Sequence, residues 1–379
     1  MSKYKPTNGK AAPTPDDAPN VFRLPPHDPA GTRPPLPGEP GPVSDGDLPL
    51  ANFDFLSTEE FGNTEKVAEK MAAFESIIVP TPHQMQAVAQ MNTIRMMSLN
   101  QAAGETRRGV RYLHPSGAGK STCAKIITQH LIKLYGRDPE RKPVLHVTLS
   151  TTGTPKSLAS SILKAVGCGY SRAGEADMLL DRVREAIREF KVELLIIDEL
   201  NHIKGKSLAT DAANTLKNLL TEGLVPIVLM GTSAAENVVK SNRELKMRCQ
   251  PQVFLRPYEP EDPLDLKHWS KLLGHIDDMM VAHEIVQIPT GLQSLAYKLC
   301  KASNGLIGEF HGIMLAALEA ALSAGYDHVS YDCLSNAIDE WAISDGTIDS
   351  NPLAENGSDN GTAEDDTSGG EGLNDEDGE

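Results

Sequence analysis

The chain has 379 residues, of which 40% are hydrophobic, and it carries a formal net charge of -16. That balance suits a chain with a sizeable core and excludes a wholly disordered one, and no run approaches the roughly 18 uncharged apolar residues of a membrane span. The opening residues MSKYKPTNGK hold no apolar stretch for a signal peptide, and the five cysteines (Cys123, Cys168, Cys249, Cys300 and Cys333) are odd in number and lack a C-x-x-C pair. Export, a disulfide framework and a zinc ribbon are therefore not expected, and a reducing cytoplasm is.

Half of the 26 prolines fall within residues 1–50, which read as a disordered proline-rich arm of polyproline character. Residues 51–108 read as an N-terminal helical extension, with a helix over 64–76, an extended stretch over 77–82 closed by Pro80 and Pro82, and a second helix over 83–99. From residue 109 strands and helices alternate. Strands are expected over 110–113, 144–149, 193–197 and 226–230, with a strand-like stretch over 252–255, and helices over 120–134, 158–166, 176–190 and 207–220. This alternation predicts an α/β core over 109–260, a parallel sheet covered by helices on both faces. The strand signal then fades into four helices over 265–283, 292–303, 308–324 and 331–342, which make 261–345 a helical lid. Residues 346–379 read as a disordered acidic tail. Its last 29 residues carry ten carboxylates and no base, and the arm adds one more acid than it has bases, which leaves -5 for residues 51–350. The acidity is thus mostly terminal, and the folded part stays compatible with DNA.

The sharpest motif is His114-Pro115-Ser116-Gly117-Ala118-Gly119-Lys120-Ser121, between a predicted strand and a predicted helix. Glycines let the backbone curl so that successive N–H groups and the helix start face phosphate oxygens. Lys120 reaches the terminal phosphates, Ser121 offers magnesium a hydroxyl, and Thr122 adds another. His114 stands where this motif ordinarily has its first glycine. A second element, Leu194-Leu195-Ile196-Ile197-Asp198-Glu199, is an apolar strand ending in two carboxylates that must emerge where open parallel sheets bind ligands. Asp198 would hold magnesium and Glu199 would polarise the attacking water. At the end of the 226–230 strand, Thr232 is preferred over Ser233 for sensing the γ-phosphate, and Arg243 and Arg248 are both candidates for an arginine donated to a neighbouring copy. His275, His283 and Cys300 have no metal spacing, and Trp269 reads as lid packing.

These residues resemble the AAA+ ATPases, and within them the transposition regulators of the TniB and TnsC type. The narrower likeness rests on the phosphate loop behind a Pro-containing segment and helix, Asp198-Glu199 followed by Asn201-His202, the Gly231-Thr232 strand end, the 242–248 segment, and Gly305-Leu306-Ile307-Gly308-Glu309 in the lid. It implies an ATPase with ATP and magnesium as cofactors and Arg248, rather than Arg243, as the intersubunit finger. It also implies head-to-tail oligomers or a filament on double-stranded DNA. Further implied partners are a DDE-type transposase and a target-selection adaptor protein. Relatives with an arginine at the start of the corresponding lid helix differ from this chain, where Glu309 follows Gly308. For DNA backbone contacts the candidates are Lys204 and Lys206 around Gly205, then Lys156 and Arg172. Arg107, Arg108 and Arg111 form a further basic cluster equally suited to a structural role. The alternatives are an AAA+ replication initiator or helicase loader, which would need a base-reading domain beyond the lid, and a signalling or defence NTPase that acts without DNA.

Overall fold

Residues 194–197 and 227–230 are apolar at every position, which a strand can be only when both of its faces are covered. In the computed structural model, which describes residues 58–138, 140–149 and 154–354, they are. The proline-rich arm and the carboxylate-rich part of the tail lie outside the described residues. Helices α1 (Thr58–Ser76) and α2 (Pro82–Asn100) precede strand β1 (Gly109–Leu113) and helix α3 (Lys120–Tyr135). Then follow β2 (Val144–Thr148), α4 (Pro155–Val166), α5 (Ala176–Glu189), β3 (Leu194–Asp198), α6 (Lys206–Thr221), β4 (Ile227–Gly231), α7 (Glu236–Ser241), α8 (Arg243–Arg248) and β5 (Cys249–Gln250). The sheet runs in the order β2-β3-β4-β1-β5, and every pairing is parallel. All strands therefore deliver their C-terminal residues to one edge.

The two-residue period of a strand sorts the core. Leu195, Ile197, Ile227 and Leu229 face α4, α5 and α6, whereas Leu194, Ile196, Val228 and Met230 face α2 and α3. Threonine and proline start α2: the Thr81 side chain accepts from the Gln84 N–H, Gln84 Oε1 accepts from the Thr81 N–H, and Pro82 needs no donor at that position.

The expected lid is a third core. Helices α9 (Pro263–Ala282), α10 (Ala296–Ala302), α11 (Ile307–Ser323) and α12 (Tyr331–Ile338) enclose Trp269, Phe310, Ile313 and Leu334. Val67 and Phe74 of α1 join this cluster, so the first helix of the N-terminal extension packs with the lid while α2 packs on the sheet. The stretch 292–303 opens as a 3-10 turn at Leu292–Leu295, and α12 ends in a π turn at Asp339–Ile343. Among the described residues, no single helix is long and apolar enough to cross a membrane.

The strand-like stretch expected over 252–255 is not a strand. The ladder stops after Cys249 and Gln250, which pair with Gly109 and Val110, because Pro251 has no N–H to continue it. Arg243 and Arg248 open and close the short helix α8.

Candidate active site

The loop after β1 is shaped by two left-handed glycines, Gly117 (φ +76°) and Gly119 (φ +81°), a conformation in which an L side chain meets its own carbonyl. A side chain at Gly119 would also collide with the Gln84 amide. The helix start is thus open toward whatever occupies the loop. Lys120 Nζ, at the first residue of α3, donates to the carbonyls of His114 (2.9 Å) and Pro115 (2.7 Å). Burial holds the Lys120 ammonium below the usual lysine range, against the opposing pull of Asp198 and Glu199.

His114 explains its own presence in a glycine position. The ring is buried, with Nε2 3.0 Å from the Val253 carbonyl, and burial keeps its pKa below the ordinary histidine value. The side chain of Gln252 accepts from the Leu113 N–H beside it. The irregular segment after β5 therefore braces the glycine loop through Leu113 and His114, which is a role the glycine pattern does not suggest.

Asp198 ends β3 next to this loop. Ser121 Oγ donates to its Oδ2 at 2.9 Å, the Glu199 N–H donates to its Oδ1 at 2.8 Å, and His146 Nε2 of β2 lies 3.3 Å from Oδ2. Burial pushes the Asp198 carboxyl up, but those hydrogen bonds from His146, Glu199 and Ser121 outweigh it and leave the pKa below the usual carboxylate value. Glu199 has a left-handed backbone (φ +58°, ψ +38°), a strained choice for a residue with a Cβ. Its carboxylate receives the Asn201 amide at 3.0 Å and lies 3.4 Å from His202 Nε2.

Ser116, Gly117, Gly119, Lys120, Ser121, Thr122 and Glu199 line a cavity of about 470 Å³. Its apolar lining comes from Ile77, Ile78 and Val79 between α1 and α2, from Leu272 and Ile276 of α9, and from Ile307 and Phe310 of α11. Phe74 stacks on His311 at 5.1 Å, again one residue from α1 and one from the lid. A lining that combines a glycine loop and helix start with apolar side chains suits a ligand with both anionic and apolar parts, and the size is that of a small-molecule site. His114, Pro115 and Ala118 belong to the loop without lining this space. The lid meets the loop through main chain: the Gly308 N–H donates to the Gly117 carbonyl at 2.9 Å, and a Cβ on Gly308 would stand 2.5 Å from Gly117 Cα.

The remaining candidates lie outside the cavity. Thr232 follows β4, and its N–H donates to Asn201 Oδ1 at 3.1 Å. Arg248 is held against Glu244 one turn earlier in α8, whereas Arg243 is exposed. Lys204 and Lys206 are exposed on either side of Gly205; Lys156 and Arg172 are exposed in other segments. Arg107 is buried and bonded to Gln101, and Arg108 donates to the Met247 carbonyl, which gives both a structural role. Sequence reasoning missed His146, Asn201 as a ligand of Glu199, and the apolar cavity wall. Only the last had a signal, the Ile77-Ile78-Val79 run ahead of Pro80.

Among the described residues, no group of three or more His, Cys, Asp or Glu could hold a metal ion. The Ser121 hydroxyl and the Asp198 carboxylate lie side by side through their hydrogen bond.

Residues 78–259 match the family model described as Bacterial TniB protein. Among solved structures, the chain is similar to the ORC2 protein of Aeropyrum pernix in its ADP form, at 18% identity and a TM-score of 0.53 over 73% of this chain and 74% of that one. The same protein in its ADPNP-ADP complexes aligns at 16% identity and a TM-score of 0.52 over 71% of both chains. Cdc6p of Pyrobaculum aerophilum aligns at 15% identity and a TM-score of 0.50, over 71% of this chain and 70% of that one. No curated protein matches. At such identities the solved structures bear on fold alone, and that fold is an AAA+-type core, a parallel sheet wrapped by helices and followed by further helices.

Proposed function

We propose, from the TniB-family domain that residues 78–259 form, that the chain is an ATP-hydrolysing regulator of DNA transposition. It would bind ATP, assemble head-to-tail on double-stranded target DNA, and recruit or activate a DDE-type transposase, with a target-selection adaptor as a further partner. The observation that carries the reading is the meeting of Lys120, Ser121, Asp198 and Glu199 at one edge of the sheet within that domain. In this mechanism Lys120 would give up its two loop carbonyls to pair with phosphate oxygens, Ser121 and Asp198 would hold magnesium, and Glu199 would orient the attacking water and take its proton. Magnesium, when bound, supplies charge neutralisation on the phosphates. Thr232 contacts the γ-phosphate end, and Arg248 is the arginine offered to the next copy, with Arg243 as its competitor. The division into a helical extension (51–108), ATPase core (109–260) and lid (261–345) is part of the same proposal.

Lys120→Ala should weaken ATP binding by roughly 10- to 150-fold, the loss of about 1.5–3 kcal/mol of charge-assisted hydrogen bonding. A fluorescent-nucleotide titration reads this directly, and unchanged affinity would place the phosphates elsewhere.

DNA contact through Lys204 and Lys206 makes a separate expectation. Replacing both with alanine should lower duplex affinity for every sequence tested and reduce the slope of log K against log salt by about 0.9 per lysine. An unaltered slope would move the interface to other residues, Lys156 and Arg172 first.

The likeness in fold to ORC2 and Cdc6p supports a second reading, a replication initiator or helicase loader. Both readings share the nucleotide chemistry and part at the DNA. An ATP-dependent filament on duplex of arbitrary sequence, seen by electron microscopy, together with stimulation of a transposase, favours the first. Preference for one DNA sequence with no filament across nucleotides and salt favours the second, and turnover indifferent to DNA leaves an NTPase switch that acts without it.

A further inference from the structure

The geometry points to Asn201 as the positioning residue that ties the Glu199 carboxylate to the end of β4, an inference that rests on the hydrolytic reading above. Asn201 sits in the single 3-10 turn Leu200–His202 that follows Glu199. Its Nδ2 donates to Glu199 Oε2 at 3.0 Å, and its Oδ1 accepts the Thr232 N–H at 3.1 Å. These two partners have opposite needs, since a carboxylate must receive a hydrogen and a main-chain N–H must give one. Only an amide oriented this way satisfies both from one short side chain. An aspartate there would confront Glu199 with a second charge, and a hydroxyl would be too short to span both.

A second observation comes from the opposite strand. Gly231, the last residue of β4, is buried beside this turn, and a Cβ on it would stand 3.0 Å from Asn201 Oδ1, 3.1 Å from Ala235 Cβ and 3.3 Å from the Leu200 nitrogen. The φ of Gly231 is not in the left-handed region, so the backbone there does not require glycine. What the missing side chain provides is room for the Asn201 amide. The third observation is the left-handed backbone of Glu199, which persists only where its surroundings hold it. Asn201 is one of those restraints, and the Asp198 carboxylate that receives the Glu199 N–H is the other. His202 also approaches Glu199 Oε2, but from the exposed side and without a bond to β4.

A displacement of Thr232 thus reaches the Glu199 carboxylate through one amide. Neither Asn201 nor Gly231 lines the cavity, so the link bears on the Glu199 carboxylate rather than on the cavity wall. Orientation of the attacking water does depend on it, and misplacement by about 1 Å can cost 10²-fold in rate.

The test uses the full chain. Asn201→Ala should lower kcat for ATP by roughly 10- to 100-fold while the affinity for a non-hydrolysable ATP analogue stays within twofold of wild type. Gly231→Ala should show the same split, and the double variant should be no slower than the worse single, since both break one linkage. In a Glu199→Gln background, Asn201→Ala should cost nothing further. Thermal melts of each variant establish that it is folded. A kcat for folded Asn201→Ala within twofold of wild type overturns the inference, as does a loss that persists in full in the Glu199→Gln background or that is matched by lost nucleotide affinity. If Glu199→Gln itself hydrolyses ATP at the wild-type rate, the hydrolytic assignment falls instead, and the two failures are told apart by that one variant.

Discussion

Replacing Glu199 with glutamine should lower ATP turnover by about 10²–10⁴-fold and leave ATP binding intact. The substitution preserves size and an acceptor oxygen, so the Asn201 Nδ2–H still has a partner and the left-handed turn keeps its restraint. What is lost is the ability to take a proton from water. Ser121, Asp198 and the glycine loop are untouched, so nucleotide should be held in a long-lived complex. The measurement is a single-turnover hydrolysis time course beside a nucleotide-binding titration. If the rate falls together with affinity, Glu199 acts in binding; if the rate is unchanged, another group serves as the base. The same variant should also extend the lifetime of any assembly on DNA that hydrolysis would otherwise dismantle.

The second large effect concerns folding. Glu193, immediately before β3, is buried and receives Arg95 from α2 through its Oε2, Arg141 on its Oε1 at 2.7 Å, and the Tyr135 hydroxyl of α3 at 3.2 Å. Arg141 in turn lies over the Tyr135 ring at 3.7 Å. The Arg95 side chain is only 4% exposed, so Glu193→Ala would strand a guanidinium inside the protein with Asn92 and Tyr135 as its remaining oxygen acceptors. The expected cost is about 3–5 kcal/mol, read as a lowered midpoint in denaturant or thermal unfolding. Replacing Arg95 and Glu193 together with methionine and leucine removes both charges at once and should cost far less. A small loss for Glu193→Ala alone would mean that water reaches Arg95. This cluster fastens α2 and α3 to the start of the strand whose other end bears Asp198, so its loss should disturb the site as well as the fold.

The parts of this site that could be read in the sequence are those whose chemistry is local. Gly117, Gly119, Lys120 and Ser121 act within one turn of chain, and Asp198-Glu199 announces itself because an apolar strand cannot conceal two carboxylates. The sheet was equally legible, since residues 194–197 and 227–230 have only one environment that suits them. The errors and omissions share a different cause. Residues 252–255 have strand-like side chains, but Pro251 removes the donor that pairing needs, and their polar groups go to Leu113 and His114. The amide of Asn201 meets Thr232, 31 residues later, and His146 meets Asp198 across 52 residues, so neither pairing leaves a pattern in the chain. The apolar lining of the cavity joins the segment after α1 with α9 and α11, which lie far apart in the chain.

The contact of Gly308 with Gly117 sets what can loosen the lid. Where a lid grips its nucleotide through an arginine, the grip weakens as ions screen the charge, over a distance of about 8 Å at physiological salt. At this point the two glycines meet through one neutral peptide hydrogen bond and two bare α-carbons. That bond carries no charge for salt to screen and depends on fit. A change in loop shape that turns the Gly117 carbonyl away unfastens it, and a single added methyl group would keep it from closing.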